Sequence, residues 1–329
     1  MIKLSILDQS PVIKGISHSE AINRTIELSE ITDKLGYNRF WVSEHHNSES
    51  FASASPEILL TAIASVTKSI RPGSGGVLIN HYSPFKIAEQ FNLLESLFPG
   101  RIDLGIGRAP GGDAEIIRAL KSVNTNAFDK TDELIKYFRN SARKKKFNNV
   151  IAVPAGTGIP EIWILGTSPE SAVYAAKNGL RYVFGAFIND EYMLQSFQAY
   201  YQNFLPSEFL KEPYLNLALF VICSDKVKDA ERMSKCSEYW LVNTFLKGRD
   251  ICFPDEETSL KYNFSFEEKM LIEYRRKSAV IGIPEMVKNR LINMAEKYAI
   301  HEFTLVTITS DNNERINSYK LIADQMLVH

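Results

Sequence analysis

The chain of 329 residues is poor in cysteine, has almost no net charge and contains no long apolar run, and each shortage removes a class of function. Its three cysteines, Cys223, Cys236 and Cys252, are odd in number and form no CxxC pair. That pattern argues against a disulfide framework and a zinc ribbon and leaves ordinary packing residues. The 38 basic and 39 acidic residues cancel to −1, so no global field draws the chain to nucleic acid or anionic lipid. The one basic run, "RKKKF" from Arg143 to Phe147, lacks the interleaved aromatics of a single-strand platform and reads as a solvated loop. No apolar stretch approaches the length of a membrane span, and "MIKLSILDQS" turns polar too quickly for a signal peptide, so cytoplasm is the expected location. His18, His81, His301 and His329 give no HxH or HExxH spacing, and no metal is expected.

What the sequence does have is an alternation of short apolar runs with helical patterns. Strands are expected over residues 3–8, 39–42, 75–79, 101–107, 161–166, 181–187, 215–223 and 302–308. Amphipathic helices lie between most of them, such as Glu20 to Leu35, where Ile22, Ile26, Ser29 and Asp33 keep a 3.6-residue beat. Eight βα units in one chain predict a (β/α)8 TIM barrel, an α/β fold with parallel strands inside and helices outside, as a single domain over residues 1–329. A doubly wound sheet would carry a dinucleotide fingerprint after its first strand, and "LDQSPVIKGISHSE" has none. Lys247 to Lys269 breaks the rhythm: it is polar, contains Pro254 and shows neither period, which suggests a lid or a passive insertion, weakly ordered without ligand.

Three clusters fall where a barrel would place its mouth, just beyond strand C-termini. "FWVSEHHN" puts Glu44, His45 and His46 after the second strand. An imidazole there can take or give a proton near neutral pH, or it can be a hydrogen-bonded part of the wall. "RIDLGIGRAPGGD" places Arg108 after the fourth strand, fit for a phosphate or for a structural pair with Asp113. Gly105 and Gly107 only imitate a GxGxxG signature, because Pro110 stands at the third glycine. In "WILGTSPESAVYAAKNG" a strand ends at Gly166, Thr167 and Ser168 supply hydroxyls, and a helix carrying Ser171 starts near Pro169. The result is either a phosphate cup at a helix N-terminus or a plain serine cap.

The stretches "WVSEHHN", "ASASPEILLTAIASVTKSIRPGSGGVLI", "SPFKIAEQFNLLESLFPGRIDLGIGRAPG" and "ILGTSPESAVYAAKNGL" resemble the bacterial luciferase-like flavin monooxygenases, and the likeness returns in "AVIGIPEMVKNRL" and "INSYKLIAD". The resemblance implies flavin phosphate on Arg108, Thr167, Ser168 and Ser171 beside Gly166. It also implies a catalytic imidazole at His45 supported by Glu44 and His46, and a cis peptide against the flavin ring at Gly75 and Gly76. Luciferases proper carry a reactive cysteine just before the phosphate-binding arginine. Gly107 stands there in this chain, which aligns it with the single-subunit, non-luminous branch.

The implied activity is oxygenation of a small organic substrate with O2 and reduced FMN, the reduced flavin being delivered by a separate flavin reductase, in a homodimer. A deazaflavin-dependent reductase or dehydrogenase on the same barrel, and a flavin-binding protein without turnover, are the alternatives that the resemblance leaves open.

Overall fold

The computed structural model of the protein describes residues 2–112, 114–121 and 126–327. The strands are β1 (Lys3–Asp8), β2 (Arg39–Val42), β3 (Arg71–Leu78), β4 (Asp103–Gly107), β5 (Glu161–Gly166), β6 (Arg181–Gly185), β7 (Leu215–Cys223), β8 (Val280–Gly282) and β9 (Glu302–Val306). Eight of them form a closed parallel barrel in the order β1 to β7, then β9, which pairs back to β1. The (β/α)8 expectation holds. The short β8, not anticipated, pairs only with the end of β7, residues 221–223, and stands outside the ring.

The helices are α1 (His18–Lys34), α2 (Pro56–Val66), α3 (Pro84–Leu97), α4 (Ala114–Ala119), α5 (Ala127–Ala142), α6 (Pro169–Lys177), α7 (Met193–Asn203), α8 (Val227–Leu241), α9 (Glu256–Lys261), α10 (Phe266–Arg276), α11 (Pro284–Tyr298) and α12 (Asn312–Met326). Proline opens α2, α3, α6 and α11, where its missing N–H has no intrahelical acceptor to lose. None of the described helices is long and apolar enough to cross a membrane.

Three local expectations need correction. The third strand begins at Arg71, four residues before Gly75, because "RPGSGG" reads as a turn by composition. Its glycines instead permit close approach: a Cβ at Gly73 would lie 2.5 Å from the Trp41 ring, and one at Gly105 on the facing strand 2.1 Å from the Ser74 carbonyl oxygen. The buried stripe of α1 is Ala21, Thr25, Leu28, Ser29 and Thr32, one position round from the expected Ile22 and Ile26, which lie at its margin. Asp33 leaves the stripe altogether and accepts the backbone N–H groups of Lys68, Ser69 and Ile70 at 2.7, 2.9 and 2.7 Å.

The third correction concerns Lys247 to Lys269. Far from lacking periodic structure, it contains α9, capped by Asp255, and the start of α10, which opens with a Ser265–Glu268 capping box. Nor is it without apolar surface to bury. Phe253 is fully buried, stacks on Trp240 with ring centroids 5.0 Å apart, and exchanges backbone hydrogen bonds with Val12 and Lys14. Asp250 accepts the Glu49 N–H at 2.7 Å and the Ser50 hydroxyl at 2.9 Å.

The N-terminal end of the barrel is closed by charge. Arg39 (3% exposed) meets Asp103 at 2.6 Å, Glu161 at 3.0 Å and Glu302 at 3.1 Å, with Arg71 on the other side of Asp103 at 2.8 Å. Each carboxylate and guanidinium comes from the first residue of its strand, so the charges converge at this end of the barrel. Above this plug Trp41 and Trp163 pack edge to face, centroids 5.1 Å apart, and fill the middle of the barrel. The opposite end stays open, and that asymmetry places the site.

Candidate active site

A cavity of about 720 Å³ occupies the C-terminal mouth of the barrel. Glu44, His45, Gly75, Gly76, Arg108, Gly166, Thr167 and Ser168 all line it. Residues drawn from four separate parts of the chain are thus brought to one place by the parallel strands β2 to β5. His46 and Ser171 are not among the lining residues. Ser171 is fully buried, where its hydroxyl donates to the Ser168 carbonyl at 2.7 Å and meets the Tyr182 hydroxyl at 3.1 Å.

The end of the cavity where the sequence led to the expectation of a phosphate is assembled from β4, β5 and α6. Arg108 Nη2 lies 3.3 Å from Ser168 Oγ, and Nη1 binds Glu170 Oε2 at 2.8 Å. Its guanidinium also covers the Phe128 ring at 4.4 Å, and Phe128 in turn stacks on Tyr174 at 4.1 Å. These contacts aim the cation across the N-terminus of α6, whose first N–H groups have no intrahelical acceptors. Asp113, the other partner considered for Arg108, lies outside the described residues. At the backbone of Arg108, Asn80 Nδ2 donates to the carbonyl at 3.3 Å, while the buried Asn80 Oδ1 has no partner among the described residues.

On the opposite side, the loop after β2 divides the work of its three polar residues. Glu44 is 3% exposed and accepts the Tyr82 hydroxyl at 2.7 Å, His46 Nε2 at 2.8 Å and the Leu78 N–H at 2.9 Å. It therefore ties the end of β2 to the end of β3, and His46 is occupied in that tie. His45 turns to the cavity. Its Nδ1 is 3.0 Å from Ser43 Oγ, its ring lies against Phe51, and Nε2 has no protein partner among the described residues. Burial, helped by the neighbouring His46, pushes the imidazole down to about 4, so the expectation of a pKa near neutrality does not hold. The side chain is therefore neutral at pH 7, with Nε2 able to accept a hydrogen bond.

Between these ends the Gly75–Gly76 peptide bond is cis, where the resemblance puts it. Gly76 packs directly against β4: a Cβ there would sit 2.7 Å from the Gly105 carbonyl oxygen. A Cβ at Gly75 would likewise lie 2.6 Å from Leu7, so neither position takes a side chain without a shift and backbone lines the cavity here.

Sequence reasoning missed most of the remaining lining. Gln9 follows β1 directly and Asn80 lies two residues beyond β3, so the strand-end rule that found Arg108 could have found them. Phe51, Phe220, Trp240 and Phe245 carried no such signal, because they reach the mouth from inside a strand, from a loop and from the end of a helix. No residue of 247–269 lines the cavity. The segment backs its wall through Phe253, which touches both Trp240 and Phe51.

Comparison with known proteins places this geometry. A family model described as luciferase-like monooxygenase matches residues 2–301. The chain is 34% identical to the N-acetyl-S-alkylcysteine monooxygenase of Bacillus subtilis (strain 168), over 99% of each protein. It is 32% identical to a luciferase-like monooxygenase of Escherichia coli (strain K12), over 98% of this chain and 96% of the relative. Among solved structures, apo-MsnO8 superposes with a TM-score of 0.89 at 30% identity, covering 100% of this chain and 98% of that one.

Proposed function

The chain belongs to the luciferase-like monooxygenase family, is an oxidoreductase by that membership, and on that premise we propose that it is the oxygenase of a two-component system. It takes reduced FMN from a separate flavin reductase and uses O2 to oxygenate a small organic substrate. The observation that carries the reading is the convergence of Arg108 and Ser168 on the N-terminus of α6, on the same cavity as the backbone wall at Gly75–Gly76.

The donor set fits such a cofactor. A terminal phosphate needs cationic and N–H donors, which Arg108, Thr167, Ser168 and the start of α6 offer; Ser171 contributes by fixing Ser168, to whose side chain its N–H donates and to whose carbonyl its hydroxyl donates. A flat ring needs a surface without side chains, which Gly75 and Gly76 provide, and the orphaned Asn80 Oδ1 invites a ligand donor. When bound, the reduced flavin supplies the electrons that activate O2.

The protein binds, orients and shields. Arg108 must exchange Glu170 for phosphate, so Glu170 tunes the affinity. Glu44 and His46 hold the loop that carries His45, and His45 Nε2 offers a neutral hydrogen-bonding and proton-accepting group toward the reacting region. The wall of Phe51, Trp240 and Phe245, backed by residues 247–269, keeps water out, and those residues act as a fastened cover. Exposed Ile58 and Val66 on α2, with Leu93 and Leu97 on α3, form an apolar face suited to a homodimer.

The test is oxygen consumption with a flavin reductase, NADH and FMN, together with a titration of FMN. Saturable FMN binding and oxygen uptake that rises with an organic acceptor support the proposal. Turnover with a deazaflavin but not with FMN refutes it in favour of hydride transfer, and tight FMN binding with no oxygen uptake refutes it in favour of a carrier.

A further inference from the structure

The half of the cavity away from the phosphate end is lined by rings. Phe51 lies edge-on to Trp240, with centroids 5.5 Å apart, Trp240 continues to Phe245 at 6.0 Å, and across the lobe Phe187 packs against Phe220 at 5.9 Å. Trp240 keeps no donor for a ligand, because its indole N–H already donates to Ser50 Oγ at 2.8 Å.

Charge is what this lobe lacks. Among the described residues that line the whole cavity, Glu44 and Arg108 are the only acid and the only strong base. Both are committed. Glu44 is engaged by the three donors at Tyr82, His46 and Leu78, and Arg108 sits at the phosphate end. His45 is neutral at pH 7. Arg275, the next cation along this wall, donates to the Ile188 carbonyl and lies 4.8 Å over the Phe245 ring, outside the lining set. Neither ion would find a free partner of opposite charge in the lobe, since the Glu44 carboxylate is taken by its three donors, Arg108 is held at the other end and Arg275 is held by the Ile188 carbonyl outside the lining. Burying either without a partner costs several kcal/mol. Apolar contact with the rings is what remains, and the unpartnered His45 Nε2 and Gln9 amide can address one polar atom.

We infer that the lobe selects its substrate by charge: it takes an uncharged, apolar, ring-sized organic molecule and rejects anionic and cationic analogues of the same shape. Phe51, Phe220, Trp240 and Phe245 are the residues that set this preference. The inference rests on the proposed oxygenase reading for the word substrate, but the selectivity itself is a property of the ring-lined lobe and not of the Arg108 end of the same cavity.

Three isosteric probes separate the cases: 4-(methylsulfanyl)toluene, 4-(methylsulfanyl)benzoate and 4-(methylsulfanyl)benzylammonium, titrated calorimetrically into the full chain with FMN present, which occupies the Arg108 end, and into flavin-free Arg108→Ala, which lacks the anion site there. With FMN present, and in flavin-free Arg108→Ala, the neutral probe is expected to bind at least tenfold tighter than either ion. A charged probe that binds as tightly, or a neutral probe with no saturable binding, overturns the inference. Phe245→Lys, at a half-exposed position that tolerates a long polar side chain, should raise benzoate affinity about tenfold; no change there would show that the probes bind elsewhere and would overturn it too. Failure of FMN itself to bind, read separately from flavin fluorescence, would count against the oxygenase reading and leave the probe preference to be judged on flavin-free Arg108→Ala.

Discussion

The His45 ring lies against the Phe51 ring with centroids 4.4 Å apart and planes tilted by 31°. This contact removes water from one face of the imidazole and is part of the burial that lowers its pKa to about 4. Between that value and the ordinary 6.5 the unfolded chain binds the proton that the folded chain refuses, so the stability associated with neutral His45 is full above about pH 6.5 and is lost as pH falls toward 4. Urea melts at successive pH values should show stability falling by up to about 1.4 kcal/mol per pH unit in that window. His45→Gln should flatten the slope, leaving what His301, also lowered by burial, contributes. An unchanged slope in the variant would mean that His45 is already solvated.

Arg108 and Glu170 give a pair of opposed expectations. Arg108→Ala should weaken FMN binding by about 1.5–3 kcal/mol, the range for a hydrogen bond to a charged group. Glu170→Gln removes the anion that competes with phosphate for the same guanidinium and should tighten binding severalfold. Fluorescence titration of both variants checks the pair. Equal affinities in wild type and Arg108→Ala would remove the phosphate assignment.

Phe253→Ala tests how residues 247–269 are held. Phe253 is fully buried between Trp240 and Phe51, and truncating such a ring typically costs about 3–5 kcal/mol. The denaturation midpoint should drop accordingly with little change in m. A loss under about 1 kcal/mol would mean that the neighbouring rings close the gap.

Asp250→Ala addresses the cover without opening the core, since Asp250 is exposed and reaches Glu49 and Ser50 from across the mouth. Amide exchange should quicken at residues 48–51 and 250–254, with global stability within about 1 kcal/mol of wild type. If oxygenation then couples less well to oxygen uptake, the segment seals the reaction; faster exchange with unchanged coupling would reduce it to a structural brace.

Arg39→Met would strand Asp103 and Glu302 at the base of the barrel, far from the cavity. Leaving buried carboxylates unpaired typically costs about 3–5 kcal/mol, and denaturation should show it, with FMN affinity of the folded fraction unchanged. A neutral result would mean that Arg71 and Arg181 take over the pairing.

The sequence by itself determined the barrel, because alternating βα periods leave few closed solutions, and it determined that Glu44, His45, Arg108 and the Gly166 to Ser168 turn follow strands and so share a mouth. It also carried the Gly75–Gly76 position, through the run of glycines that a family resemblance marks. Tertiary structure decided what local pattern cannot encode. The start of β3 at Arg71 depends on Trp41 filling the space that the glycines leave, a contact between two strands. Which of two adjacent histidines faces the cavity depends on Glu44 claiming His46, and the fall of the His45 pKa depends on Phe51 and the burial around it. The order of residues 247–269 depends on Phe253 reaching Trp240 and Val12. Periodicity reports which face of an element is apolar, but the choice of partner across that face is made only when distant segments meet, and there the energies of burial and of unpaired charge outweigh local preference.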